Sequence, residues 1–287
     1  MNEPIEPPEE RQQLAAELRK LRDQAGVSGR ELATGIGGIS QSKVSRIESG
    51  KAMPTLPQVE RWADLTGASP EQKRALIKLA ERAFTEIHSW SRPLRDSPHA
   101  QHEISEQEAD AWMVRTFQPS SVPGLLQTAQ YARHVFGLSP LPSVREDIAA
   151  AVADRMRRQL AVYELDQGFE FLITEEALRW CPGPDAAALL PAQLDRVASL
   201  STLENISIGV LPAGGQALAY ASHGFVIYEG HEADATFVTV EAIHAGMRLF
   251  DPGEIDIYKQ TWFALERMAV FGDEARGLLA ELASELR

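Results

Sequence analysis

A chain of 287 residues, 44% hydrophobic and 24% charged, has the make-up of ordinary globular protein and the length for two domains. It has no apolar run long enough to cross a bilayer, and its single cysteine, Cys181, excludes an internal disulfide and a cysteine-built zinc site. The net charge of -13 is unevenly held: residues 1–10 carry four Glu, residues 11–90 hold 13 Lys and Arg against 9 Asp and Glu, and residues 91–287 hold 15 against 28.

Residues 1–10 form an acidic, proline-rich tail, the opposite of the basic and apolar start of a secretory signal, so a cytoplasmic protein is expected. Leu14, Leu18, Leu21 and Ala25 then recur at helical spacing, and Gly26 is placed to end that helix in a left-handed conformation. Ser28 stands three residues before Glu31 as a capping box, with Val27 and Leu32 as the hydrophobic staple. A second helix is expected from there to about Thr34, stopped by Gly35, Gly37 and Gly38.

Ser40 is the N-cap of a third helix, with Val44 and Ile47 facing inward and Gln41, Ser42, Lys43, Ser45 and Arg46 outward; Gly50 closes it. Thr55 opens a fourth helix carrying Val59, Trp62, Ala63 and Leu65 inward, and Gly67 ends it. Ser69-Pro70-Glu71-Gln72 opens a fifth, whose apolar side is Leu76, Ile77, Leu79, Ala80, Ala83, Phe84 and Ile87. Five short helices over residues 11–90 make an all-α domain, and the basic excess of the chain lies in it.

Leu32-Ala33, the run Gly38 to Glu48, Gly50-Lys51 and Pro54 together resemble the Xre/Cro-like helix-turn-helix domain. The resemblance implies a small Ala33 where two motif helices cross, Val44 and Ile47 packing the third helix on the second, and a base-reading face of Gln41, Ser42, Ser45 and Arg46. Two departures stand out. Gly29 occupies a place where the family often has a phosphate-touching Gln, leaving Arg30 as a substitute, and the turn from Ala33 to Gly38 is one residue longer than the common pattern.

The residue types suit the chemistry of double-stranded DNA. In the major groove Gln bonds adenine and Arg bonds guanine through two groups each, so Gln41 and Arg46 are the leading base readers. Arg30, Ser40, Lys43 and Lys51 are better placed to hold phosphate, which positions the domain and makes binding salt-dependent.

Residues 91–103 lack apolar periodicity and read as a linker. From 104 to 287 the pattern predicts strands at 112–117, 169–173, 206–211, 224–228 and 236–241, and helices at 124–136, 143–164, 184–200, 254–271 and 273–286. The fold class is therefore multidomain, an all-α five-helix Cro-like domain followed by an α+β (or α/β) domain of undetermined topology.

Within that region Arg155, Arg157 and Arg158 could form an anion or partner site, but Asp154 and Glu164 stand near enough to neutralise them, and a solvated helix face is the plainer reading. His223, His231 and His244 lack metal-ligand spacing, and Glu175 and Glu176 read as a helix start and not as a catalytic pair. No phosphate loop, nucleophile elbow or dinucleotide fingerprint occurs, so no enzyme, cofactor or metal is expected.

The segments 122–133, 155–159 and 206–212 resemble the antitoxin-like domain found behind helix-turn-helix modules in a large family of bacterial regulators. The resemblance implies a small acidic partner protein encoded nearby and assigns no catalytic residue. The expectation is a homodimeric transcription regulator whose second domain receives a small-molecule effector or a small protein. The alternative is an antitoxin that sequesters a cognate protein and regulates its own operon.

Overall fold

The computed structural model of the chain describes residues 9–89, 111–183, 188–231, 235–243 and 245–286. The expected linker, most of the acidic tail, His244 and the start of the helix expected from Pro184 lie outside these residues. The chain divides into two units, one of residues up to 87 with 232–237 and 247–255, the other of the remainder.

Five helices make up most of the first unit: α1 (Glu9–Gln24), α2 (Gly29–Ile36), α3 (Gln41–Glu48), α4 (Leu56–Leu65) and α5 (Pro70–Ala83). Ser28, Thr55 and Ser69 each close a full capping box with Glu31, Gln58 and Gln72, and Ser40 caps α3 through the Lys43 amide. Leu14, Leu18, Leu32, Ile36, Val44, Ile47, Val59 and Trp62 meet in one core, each no more than 1% exposed. The Trp62 indole N–H donates to the Leu18 carbonyl at 3.1 Å, so its burial leaves no orphan donor. Each fully buried leucine contributes about 1.5–3 kcal/mol, against about 0–1 kcal/mol for a surface pair such as Lys73–Asp64, so the core holds this unit together. Phe250 joins it from the later segment: its amide donates to the Phe84 carbonyl at 2.9 Å, and its ring lies 4.9 Å beneath the Arg11 guanidinium.

Four local expectations change. Ala25 lies beyond the end of α1 and is exposed. Helix α2 continues through Gly35 to Ile36, and the missing side chain of Gly35 leaves room for Leu65, which a Cβ there would meet at 2.7 Å. Leu65, covering Gly35, is 43% exposed rather than inward. Ile87 leaves the expected fifth helix for a strand, β1 (Thr85–Ser89), and is 69% exposed.

The second unit is built on β2 (Ala111–Gln118), β3 (Gly168–Thr174), β4 (Ile206–Leu211) and β5 (Phe225–Gly230), with most of β6 (Phe237–Glu241) and the start of β7 (Ala245–Leu249), and these strands follow the order β7-β6-β5-β2-β3-β4. β2, β3 and β4 run parallel, in register Val114 to Phe169 and Phe169 to Ile206, while β5 is antiparallel to β2. This mixed sheet makes the unit α+β. Arg115 in β2 is held between Glu170 of β3 and Glu229 of β5.

Parallel neighbours require long crossovers, which carry α6 (Ala129–Gly137), α7 (Pro142–Glu146), α8 (Ile148–Arg158), α9 (Glu175–Arg179) and α10 (Leu190–Leu200). The chain ends in α11 (Pro252–Glu266) and α12 (Gly272–Glu285), α12 packing on α10 and β4. The helix expected over 124–136 is a short 3-10 turn, Gly124–Leu126, followed by α6, because Thr128 caps α6 through the Tyr131 amide. Asp147 likewise breaks the helix expected over 143–164 by capping α8. The helix expected to reach Phe271 stops at Glu266, since Val270 exchanges two backbone bonds with Val210 of β4. Among the described residues no helix is long and apolar enough to cross a membrane.

Candidate nucleic-acid interface

Helix α3 has two unlike faces. Val44 and Ile47 are each 1% exposed against the core, while Gln41, Ser42 and Ser45 are exposed on the other side, with Lys43 and Arg46 half-buried beside them. Arg30 on the first turn of α2, Ser40 at the α3 cap and Lys51 past its end are exposed around this face.

Both ends of α3 are fixed. At its start the Ser40 hydroxyl accepts the Lys43 amide at 3.1 Å and lies 2.7 Å from the Ser42 hydroxyl, so a residue expected at phosphate and one expected at a base share a bond. At its end Gly50, with φ +70°, lets the Lys51 amide reach the Arg46 carbonyl at 2.8 Å and its own amide reach Ile47 at 3.0 Å, a Schellman turn. Lys51 is thereby set at one end of the polar face. A Cβ on Gly29 would stand 3.6 Å from Gln41 Cγ, so the Gln41 stem lies across the first turn of α2, where the resembled family carries a longer side chain.

Glu48 ends α3 at the negative end of the helix dipole, where a carboxylate alone is unfavourable. Arg22 of α1 offsets this with a two-pronged contact, Nε to Oε1 and Nη2 to Oε2, and also donates to the Val27 carbonyl at 3.1 Å. Glu48 raises the Arg22 pKa above its usual value. This pair ties α1, the α1–α2 turn and the end of α3 together. Its partners stand 26 residues apart and no local pattern marks them in the sequence. At the start of α2 the Ser28 backbone N–H holds the Glu31 carboxyl below its ordinary value.

The candidate groups of the second unit are mostly absorbed into its own framework. Arg155 leaves the solvated face expected for it: it donates to Gln127 at 2.6 Å, lies 4.1 Å over the Phe136 ring, and burial with the nearby charge of Arg158 pushes its pKa down to about 10. Arg157 is paired with Asp154 at 2.9 Å, as the sequence suggested. Gln127, Gln159 and Gln193, all at most 4% exposed, bond the carbonyls of Val122, Gly124, Leu126 and Gln127 and the amide of Thr128. The first part of the 122–133 segment, 122–128, is thus an irregular turn whose backbone is satisfied largely by buried glutamines, and the rest is the start of α6.

Glu175 accepts the Ala213 amide at 2.9 Å and pairs with Arg179, which is a structural role. His223 bonds Ser222 and Tyr258, His231 is exposed, and the Cys181 thiol donates to the Gly183 carbonyl. Among the described residues no three His, Cys, Asp or Glu side chains stand together as a metal site.

Two family matches cover most of the chain. Residues 13–76, which include α2 and α3, match a helix-turn-helix domain, and residues 101–281 match the Domain of unknown function (DUF5753). No curated protein matches the chain.

Proposed function

The chain belongs to the DUF5753 family and carries a helix-turn-helix domain ahead of that region, and from this we propose that it is a sequence-specific, DNA-binding transcription regulator of the Xre/Cro type. The observation that carries the reading is the polar face of α3: a helix capped at both ends, anchored by Val44 and Ile47, and presenting Gln41, Ser42, Ser45 and Arg46, with Lys43 on the same helix and Arg30 and Lys51 exposed on the flanking segments. A helix of this kind fits the major groove, where a good two-bond contact supplies about 1–3 kcal/mol of discrimination.

The regulator acts in the cytoplasm as a homodimer on half-sites about 34 Å apart or a multiple of that. Its acidic second unit receives a small molecule or a small acidic protein and performs no catalysis. The acidic balance of residues 91–287 supports keeping that unit away from phosphate.

Selection of duplexes from a random pool with the full chain tests the reading. An enriched two-fold sequence is expected, with Arg46→Ala losing discrimination at one base pair per half-site. Lys51→Ala should weaken all duplexes alike and lower the salt slope by about 1. A pool that yields no enriched sequence would reject the proposal. Relief by this chain of toxicity from a neighbouring small protein would favour sequestration as the main activity instead.

A further inference from the structure

The turn that delivers helix α3 is built on two consecutive glycines. Gly37 (φ +75°, ψ 146°) and Gly38 (φ +71°) both lie at positive φ, conformations that glycine enters at little cost, and they closely precede the Ser40 cap of α3. A local bond steadies the turn, from the Gly37 amide to the Ala33 carbonyl at 3.0 Å. A two-glycine hinge next to a helix that must hold its side chains against base edges would, by itself, let that helix sway.

Helix α4 supplies what the turn lacks, from two side chains one helical turn apart. Arg61 Nη1 donates to the Ile36 carbonyl, one of the groups that a helix C-terminus leaves without an intrahelical partner. A cation there also meets the negative end of the α2 dipole. The same nitrogen stands 3.7 Å from where a Gly37 Cβ would be, so the guanidinium lies along the hinge as well as on the carbonyl before it. Leu65 lies over Gly35, so close that a Cβ there would overlap it at 2.7 Å. Neither side chain is sunk in the core: Arg61 is exposed and Leu65 is 43% exposed.

We propose that Arg61, seconded by Leu65, is a positioning residue for DNA recognition: it clamps the Gly37–Gly38 hinge and so fixes the angle at which α3 meets the groove. The proposal rests on the DNA-binding reading above and adds to it a residue that touches no base. A phosphate contact by Arg61 would be a different role with a different signature.

The test uses the full chain with Arg61→Ala, Arg61→Lys and, as a control for lost surface charge, Arg74→Ala. Arg61→Ala should weaken the selected operator about tenfold, as loss of one good contact would, and leave a random duplex within about twofold of wild type. Its salt slope should stay that of wild type, whereas a lost phosphate contact would lower it by about 0.9. Arg61→Lys, which keeps a donor for Ile36, should recover most of the affinity, and Arg74→Ala should leave the ratio of operator to random affinity unchanged.

Amide exchange gives a readout that needs no DNA. The Gly37 amide should exchange about tenfold faster in Arg61→Ala while the Val59 amide, bonded to the carbonyl of the α4 cap residue Thr55, keeps its rate. Equal losses on operator and random DNA with a lowered slope would make Arg61 a phosphate contact and overturn the proposal, as would unchanged Gly37 exchange. If the wild-type chain selects no operator, the DNA-binding reading fails, and the exchange experiment still decides whether the clamp exists.

Discussion

The α2–α5 region and the turn around Val122–Thr128 solve the same problem, unpaired backbone groups at irregular points, by opposite means. In the helix-turn-helix domain each of these helix starts is closed within three residues of sequence: Ser28 with Glu31, Ser40 with Lys43, Thr55 with Gln58, Ser69 with Gln72. In the second unit the turn is closed largely from a distance: Arg155, Gln159 and Gln193 reach it across 28 to 67 residues of sequence. Local closure can form before the rest of the unit, whereas remote closure exists only once β2, α8 and α10 have assembled. The first region should therefore tolerate single polar substitutions, and the second should not.

The largest effect is expected at Gln193, which is 0% exposed and bonds both the Thr128 amide and the Leu126 carbonyl. Gln193→Ala orphans two buried backbone groups and leaves a cavity, a loss of roughly 3–5 kcal/mol in urea unfolding followed by tryptophan fluorescence. A loss below about 1 kcal/mol would mean that water or relaxation replaces the glutamine, and the contrast between the two regions would collapse.

Arg22 and Glu48 are the exception within the first region, a remote pair in a locally closed domain. Arg22→Ala strands the Glu48 carboxylate, whose side chain is 11% exposed, and should cost about 3 kcal/mol. The double change Arg22→Met with Glu48→Leu should recover most of that, because it removes the stranded charge along with its partner. If the double variant is as unstable as the single, the penalty comes from lost shape and not from the carboxylate.

The same contrast explains what could be read from the chain. Ser28, Ser40, Thr55 and Ser69 announce their helices within four-residue windows, and strands β2 to β6 show as short apolar runs, so the five-helix domain and most of the sheet were legible. Gly35 read as a helix stop because nothing near it in sequence reveals that Leu65, on another helix, fills the space of its missing side chain. β7, Ala-Gly-Met-Arg-Leu by sequence, has neither alternation nor an apolar run, and β1 continues a helical pattern until the backbone changes course. At the candidate interface, the outward set on α3 was legible from its period, while Arg22, which holds the end of α3 from α1, and Arg61, which bonds the end of α2 from α4, belong to contacts that only the fold creates.

Glu175 carries both kinds of closure in one side chain, so its titration weighs them directly. Its place at the start of a helix was visible in the sequence; its pair with Arg179 four residues on and its bond from the Ala213 amide were not. The Ala213 amide is the chief reason that its pKa lies below the ordinary carboxylate value of 4.5, with Arg179 contributing less. A lowered folded pKa stabilises above the unfolded value and is lost as pH falls through the folded one, so the contribution is present at pH 7 and disappears in acid. The stability gap between wild type and Glu175→Gln, measured by urea unfolding, should therefore be constant near neutrality and close as the pH drops below about 4.5. Arg179→Gln should leave most of that pH dependence in place, since it spares the Ala213 bond. If Arg179→Gln abolishes the dependence, the local ion pair governs this carboxylate, and remote closure matters less in the second unit than its buried glutamines suggest.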